Sequence, residues 1–241
     1  MEGSSTREWT SRMANFKELF EESGFAIVPD LMPENEIFDL RKELLSQASL
    51  RRSRAGVRHA MKLPGVAALA NGSKLLGIAK DILDGEAVPF RATLFDKSAE
   101  ANWLVAWHQD TALPLREKKD TPGWGPWSVK ERIVYAHAPA DALMRVVALR
   151  VHLDDSGAAN GPLRVLPGTH RAGVLTDEQI RALGHEVSAV DCLVTKGGML
   201  AMRPLLVHAS SKSRSEVARR VLHIEYATSM AIGKGLELAT A

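Results

Sequence analysis

The chain is poor in the residues that mark several large protein classes. It has one cysteine, Cys192, so no internal disulfide can form and a reducing compartment is expected. Its apolar runs, such as Met199-Leu-Ala-Met202, fall far short of the roughly 20 residues that span a bilayer, which excludes a membrane helix. Residues Met1 to Trp9 show no basic stretch leading into an apolar one, so no secretory signal is expected and the cytoplasm is the expected location. Formal net charge is only +2, too little to argue for a nucleic-acid partner. Internal repeats and low-complexity tracts are absent. So are G-x-G-x-x-G, G-x-S-x-G and H-E-x-x-H, which removes support for a nicotinamide site, a hydrolase elbow and the common zinc-protease signature.

What is present is an ordinary globular composition, 45% hydrophobic and 25% charged over 241 residues, enough for one large domain spanning 1–241. Residues 10–84 read as mainly helical. Met13, Phe16 and Phe20 share a helical face ahead of Gly24, and Phe25–Val28 suits a strand. Pro33 starts a helix carrying Ile37, Leu40, Leu44 and Leu45, and a third helix is predicted over Ser73–Leu83, with Gly85 beyond it. From about residue 87 to 228 the pattern becomes short strands broken by Gly and Pro. These are Val88–Phe95, Ile133–His137, Val146–Leu153, Leu163–Leu166, Asp191–Thr195, Met199–Met202 and Val221–Tyr226. Short strands with helices gathered at one end predict a mainly β fold, a jelly roll backed by helices.

Two H-x-D pairs stand out. His108-Gln-Asp110 follows the apolar segment Trp103–Trp107 and precedes a Pro/Gly/Trp stretch, Thr111 to Trp127, that reads as a substrate lid. With His208 it supplies two imidazoles and one carboxylate, the ligand set of non-haem Fe(II) oxygenases, which leaves metal positions open for a co-substrate and dioxygen. Arg219, shortly after His208, suits a two-pronged contact with a dicarboxylate. The second pair is His152-Leu-Asp154, where alternation puts Arg150, His152 and Asp154 on one strand face and His170 is a candidate third ligand. Arg219 and Arg220 point to opposite faces, and alternation does not choose between them, since each has an apolar neighbour in phase. His223 shares the phase of Arg219, as a pocket residue or a core histidine. Trp103, Trp107, Trp124 and Trp127 read as core or as cavity wall. Arg51-Arg-Ser-Arg54, with Arg58 and His59, is the strongest basic cluster, either a solvated loop or a seat for an acidic substrate.

The ordered set Phe95-Asp-Lys97, Asn102-Trp103, Trp107-His-Gln-Asp110, Leu153-Asp-Asp155, Asn160-Gly-Pro-Leu163, Leu166-Pro-Gly-Thr-His170, His208-Ala-Ser210 and Arg219-Arg220 resembles the phytanoyl-CoA dioxygenase family of Fe(II)/2-oxoglutarate oxygenases, over about residues 15–228. The resemblance implies a double-stranded β-helix (jelly-roll, cupin-like) core. It implies His108, Asp110 and His208 as the metal ligands and Arg219 as the arginine that takes the distal carboxylate of 2-oxoglutarate, with Lys97 and Ser210 at positions that often line the co-substrate pocket. It assigns the second H-x-D to a strand that binds no metal. The implied cofactors are Fe(II), 2-oxoglutarate and O2, with ascorbate as an in-vitro reductant. The implied partner is a small molecule, hydroxylated with release of succinate and CO2. The chain departs from the family at Gly197-Gly198, where Gly-Asp is frequent. Desaturation, ring closure or epimerisation use the same ligand set. A silent jelly-roll binding protein, or a cupin-type isomerase or hydrolase, are the competing classes, and neither accounts for Arg219.

Overall fold

In the computed structural model, which describes residues 15–46, 52–53, 56–98 and 101–241, strand alternation decides the layering. A helix over 15–23 (α1) buries Phe16 and Phe20 and ends at Gly24, whose φ of 83° needs a residue without a Cβ. Met13 lies outside the described residues. β1 (Phe25–Val28) follows, then α2 (Glu34–Ser46), with Glu34 and Glu36 in its favourable first turn. α2 buries Ile37, Leu40 and Leu44, whereas Leu45, expected beside them, is 45% exposed. It lies about 100° further round the helix than Leu44 and so leaves the buried stripe. β2 (Arg52–Ser53), β3 (Gly56–Val57), α3 (Pro64–Asn71) and α4 (Ser73–Leu83) complete this part. Asp84, in the left-handed region at φ 55°, ends α4 one residue ahead of the expected glycine.

The rest of the chain is mostly β. β4 (Val88–Lys97), β5 (Val105–His108), β6 (Ala112–Leu115), β7 (Trp127–Lys130) and β8 (Ile133–His137) lead to a one-turn helix α5 (Ala140–Leu143) and β9 (Val146–His152). β10 (Leu163–Val165), α6 (Asp177–Glu186), β11 (Val190–Cys192), β12 (Met199–Met202), β13 (His208–Ser210), β14 (Arg219–Ala227), β15 (Ala231–Gly233) and β16 (Leu236–Glu237) follow. A seven-stranded sheet runs β1-β12-β9-β14-β4-β3-β2, and a four-stranded one runs β11-β10-β13-β5. Both outermost strands of the large sheet, β1 and β2, come from the N-terminal part.

Val147, Leu149, Val151, Leu222, Ile224, Ala92 and Leu94 form one face of the large sheet and pack against α1–α4 in a single apolar cluster. The opposite phase, Ala148, Leu200 and Met202, meets Leu163, Val165 and Cys192 of the small sheet. All seven residues of β9 are therefore buried, because both its faces are covered. Two facing antiparallel sheets with helices outside the larger one make the expected double-stranded β-helix. The stretch 111–127 is not one lid loop. Its first part is β6, paired with β8 in a three-stranded sheet and burying Leu113 and Leu115. Pro114 suggests a loop in sequence, but an edge strand accommodates it.

Candidate active site

β5 and β13 are antiparallel neighbours, and their register sets His108 directly opposite His208. Directly opposite residues share a face, which brings the two imidazole centroids to 4.2 Å. Asp110 lies two residues on, in the same phase, and its backbone N–H is held by the Pro204 carbonyl at 2.9 Å. Its two carboxylate oxygens lie 3.6 Å from His108 Nε2 and 3.6 Å from His208 Nε2. That is beyond hydrogen-bond reach, and less than twice the roughly 2.1 Å at which such donors bind one ion.

The ring tautomers suit a metal. His108 Nδ1 lies 2.9 Å from the Ala106 carbonyl, and His208 Nδ1 lies 2.9 Å from the Leu206 carbonyl. A carbonyl can only accept, so each Nδ1 carries the hydrogen and each Nε2 presents a lone pair toward Asp110. Burial, outweighing the Asp110 charge, pushes His208 down to about 4, so its ring is neutral at physiological pH. Burial also disfavours a charge on His108, but the adjacent Asp110 carboxylate outweighs it and raises this imidazole. Burial alone would raise Asp110, yet the charge that the two imidazoles carry when protonated holds it well below the usual carboxylate range. Among the described residues, His108, Asp110 and His208 are the group able to hold a metal ion.

Gln109, between His108 and Asp110, faces the other way. Its Nε2 donates to the carbonyls of Gly173 (2.8 Å) and Leu205 (2.7 Å), and its Oε1 accepts from Leu175 N (2.9 Å).

A cavity of about 80 Å³ opens from the triad, enough for a small polar ligand where a single water needs roughly 10–15 Å³. At its far end Arg219 of β14 pairs in register with Lys97 of β4. Lys97 Nζ donates to Ser210 Oγ at 2.8 Å and to the Ser211 carbonyl at 2.6 Å, and Ser210 Oγ donates to the Gly161 carbonyl at 2.9 Å. Arg219 Nε donates to the Asn160 carbonyl at 3.2 Å. The Asn160-Gly161 pair has a steric reason. A Cβ on Gly161 would stand 2.4 Å from the Ser211 carbonyl oxygen, at a φ of 66°. Burial, reinforced by Arg219, lowers Lys97 to about 8, and burial lowers Arg219 to about 10. Phe95, Trp103, Val105, Arg150 and Leu163 complete the lining of the cavity.

The second H-x-D does not assemble. Asp154 is engaged by Arg220 Nε (2.6 Å) and Nη2 (3.1 Å) and by Arg41 (3.2 Å). His152 is buried with neither ring nitrogen hydrogen-bonded, and His170 packs against Gly24. Arg220 thus takes the phase opposite Arg219, on an acid of its own. His223 lies behind the cavity wall, edge-on to Phe95 at 5.7 Å. Of the four central tryptophans only Trp103 lines the cavity. Trp107 packs beside α6, and Trp124 and Trp127 belong to a separate core cluster. Arg58 and His59 face Glu131 at 3.5 and 3.2 Å, and the side chains of Arg51–Arg54 lie outside the described residues. Arg150 was missed as a cavity residue, although a charge in the middle of an otherwise apolar strand is a visible signal.

Residues 20–221 match the family model for phytanoyl-CoA dioxygenase (PhyH). The chain belongs to the phytanoyl-CoA dioxygenase family. Within the PhyH family's reach, it is 25% identical over 178 residues to an L-proline trans-4-hydroxylase of Streptomyces griseoviridis, covering 63% of this chain and 59% of the relative. It is 26% identical over 172 residues to the ectoine dioxygenase of Halomonas elongata, covering 64% and 45%. The chain thus spans about half the length of the curated relatives it matches. In structure it resembles EctD from S. alaskensis, solved with 2-oxoglutarate and 5-hydroxyectoine, with a TM-score of 0.68 and 21% identity over 89% of this chain and 75% of that one. Among the described residues, no helix of this PhyH-family protein is long and apolar enough to cross a membrane.

Proposed function

We propose that this chain is an Fe(II)- and 2-oxoglutarate-dependent dioxygenase that hydroxylates a C–H bond of a small molecule in the cytoplasm. The observation that carries it is one cavity with three converging metal donors at one end and two buried cations at the other. His108, Asp110 and His208 would hold the iron. Arg219 and Lys97, with Ser210, would hold the 5-carboxylate of 2-oxoglutarate. The proline hydroxylase and ectoine dioxygenase among its relatives, and the 2-oxoglutarate bound by EctD, support the same reading.

When bound, iron with 2-oxoglutarate and dioxygen supplies the oxidation, in which substrate C–H, 2-oxoglutarate and O2 become C–OH, succinate and CO2. The chain's own residues set its conditions. The Ala106 and Leu206 carbonyls orient the two imidazoles, and the low affinity of His208 for protons leaves its Nε2 ready for metal at neutral pH. Asp110 brings the single negative charge of the ligand set. Phe95, Leu163 and Trp103 wall the reacting region with apolar surface and limit water there.

Succinate release from purified protein supplied with Fe(II), ascorbate, 2-oxoglutarate and a small-molecule library tests the proposal. Wild type should turn over, and Asp110→Ala should lose at least about 100-fold, since even indirect supports of a metal are worth 10–100-fold. A wild-type protein that forms no succinate with any library member sinks the reading. Activity retained in Asp110→Ala but lost in Asp154→Ala moves the site to the second H-x-D.

A further inference from the structure

Three cations, Lys97, Arg150 and Arg219, face the cavity against one carboxylate, Asp110. Lys97 and Arg219 sit together at the far end. Arg150 stands apart on β9, opposite His223, which lies four residues further along β14 than Arg219 and so roughly 13 Å along the strand. It is 5% exposed, and among the described residues it forms no ion pair. Its guanidinium lies 5.1 Å above the Phe95 ring, and its Nη1 donates to His223 Nδ1 at 2.9 Å. Its Nε is buried and has no hydrogen-bond partner.

Two other arginines on this sheet show what such an edge is for. Arg220 gives Nε and Nη2 to Asp154, and Arg91 gives Nε and Nη2 to Glu225. In both, the Nε–Nη2 edge is the two-pronged seat of a carboxylate. Arg150 has the same edge left over, since His223 occupies only Nη1. A guanidinium does not shed its proton at neutral pH, so burial without a counter-charge is costly unless a ligand supplies one. The charge of the loaded cavity agrees. A ferrous ion and a 2-oxoglutarate dianion cancel one another, and three cations against Asp110 leave an excess of positive charge.

We infer that Arg150 is a second anion anchor, seating a carboxylate at the metal end of the cavity while Arg219 and Lys97 seat another at the far end. The inference rests on the oxygenase reading above. The carboxylate comes either from 2-oxoglutarate itself, through its 1-carboxylate, or from a prime substrate that is a carboxylic acid.

Arg150→Met removes the charge and keeps much of the bulk, and Arg150→Lys keeps the charge without the fork. Both are first checked for a wild-type far-UV spectrum, and either one that folds carries the test. Anaerobic Fe(II)-loaded protein is titrated with 2-oxoglutarate by calorimetry. The Fe(II)/2-oxoglutarate-loaded protein is then titrated with a panel of amino and hydroxy monocarboxylic acids and their amides. If the 1-carboxylate is the ligand, 2-oxoglutarate binds at least tenfold more weakly to the variants. If the prime substrate is the ligand, 2-oxoglutarate binding stays within twofold, while the wild-type preference for acids over amides drops at least tenfold. Variants that match wild type in both titrations overturn the anchor. A wild-type protein that binds no 2-oxoglutarate overturns the oxygenase reading instead. The anchor is then decided by the acid-against-amide titration of unloaded wild type and variant, where equal preference overturns it.

Discussion

Lys97 keeps its charge against its surroundings, and this makes the far end of the cavity sensitive to pH. Burial lowers its pKa from 10.5 to about 8 in the folded protein. Below about 8 the ammonium is charged in both folded and unfolded chains, and the cost of burying it is fully present. As pH rises from about 8 toward 10.5, the folded chain releases a proton that the unfolded chain keeps, so this group adds stability with rising pH. Binding runs the other way. With Lys97 and Arg219 seating 2-oxoglutarate as proposed, the ligand would lose one of these cationic partners as Lys97 deprotonates, while Arg219, at about 10, stays charged. The dissociation constant of 2-oxoglutarate should therefore rise between pH 7 and 9. Lys97→Met should bind more weakly at pH 7 and lose that rise. Arg219→Ala should bind roughly 10–150-fold more weakly, the value of about 1.5–3 kcal/mol for a hydrogen bond to a charged group. A wild-type constant that stays flat from pH 7 to 9 would remove Lys97 from this role. The pairing of His108 with Asp110 was visible in sequence because residues two apart in an extended segment share a face, but His152 and Asp154 met the same test, and the family resemblance chose between them and added His208. The choice between Arg219 and Arg220 was not visible there, because it depends on Asp154 lying across the sheet to take Arg220.

At the scale of elements, the metal end depends on a clamp that bears no ligand. Gln109 faces away from the cavity and ties β5 to two loops, 173–175 and the segment at Leu205 that leads into β13. Both histidine-bearing strands are thus fixed through one amide. Gln109→Leu keeps the volume and orphans three backbone groups, each worth about 1 kcal/mol or somewhat more when left unpaired. A loss of about 3 kcal/mol corresponds to a fall in Tm of roughly 6–12 °C for a chain of this size, with weaker Fe(II) binding alongside. A melting curve within 2 °C of wild type, or unchanged iron affinity, would show that the clamp is dispensable. Five strands of the large sheet were legible as short apolar runs bounded by Gly and Pro, whereas β2 and β3, two residues each in the basic stretch after Arg51, were not. β6 was not, since its pairing with β8 is non-local and Pro114 argues locally against a strand. α6 carried a legible sign in Thr176-Asp-Glu-Gln179, whose capping box forms in the structure, but it went unread.

At the scale of the whole molecule, the fold and the metal site are separable. The helices and the outer face of the large sheet form one apolar cluster, and the three-stranded sheet with β15 and β16 helps form another. None of His108, Asp110 and His208, the proposed metal ligands, belongs to either. The two histidines stand on two short strands of the smaller sheet, with Asp110 just past the end of one, on a scaffold already closed by packing. That differs from a small zinc domain, where the metal supplies the folding energy. Chelation should accordingly leave the far-UV circular dichroism unchanged and lower only the melting temperature. Iron and 2-oxoglutarate, bound as proposed to the native state alone, would at 100 times the dissociation constant add about 2.7 kcal/mol, or roughly 5–10 °C in Tm. Asp110→Ala should melt near the metal-free wild type and gain almost nothing from added iron. That variant distinguishes a stabilising ion held by the triad from one bound elsewhere. Collapse of the spectrum on chelation would mean that the ion organises the sheets. An equal iron-induced rise in Asp110→Ala would place the ion at other ligands and detach the stability of this fold from the triad.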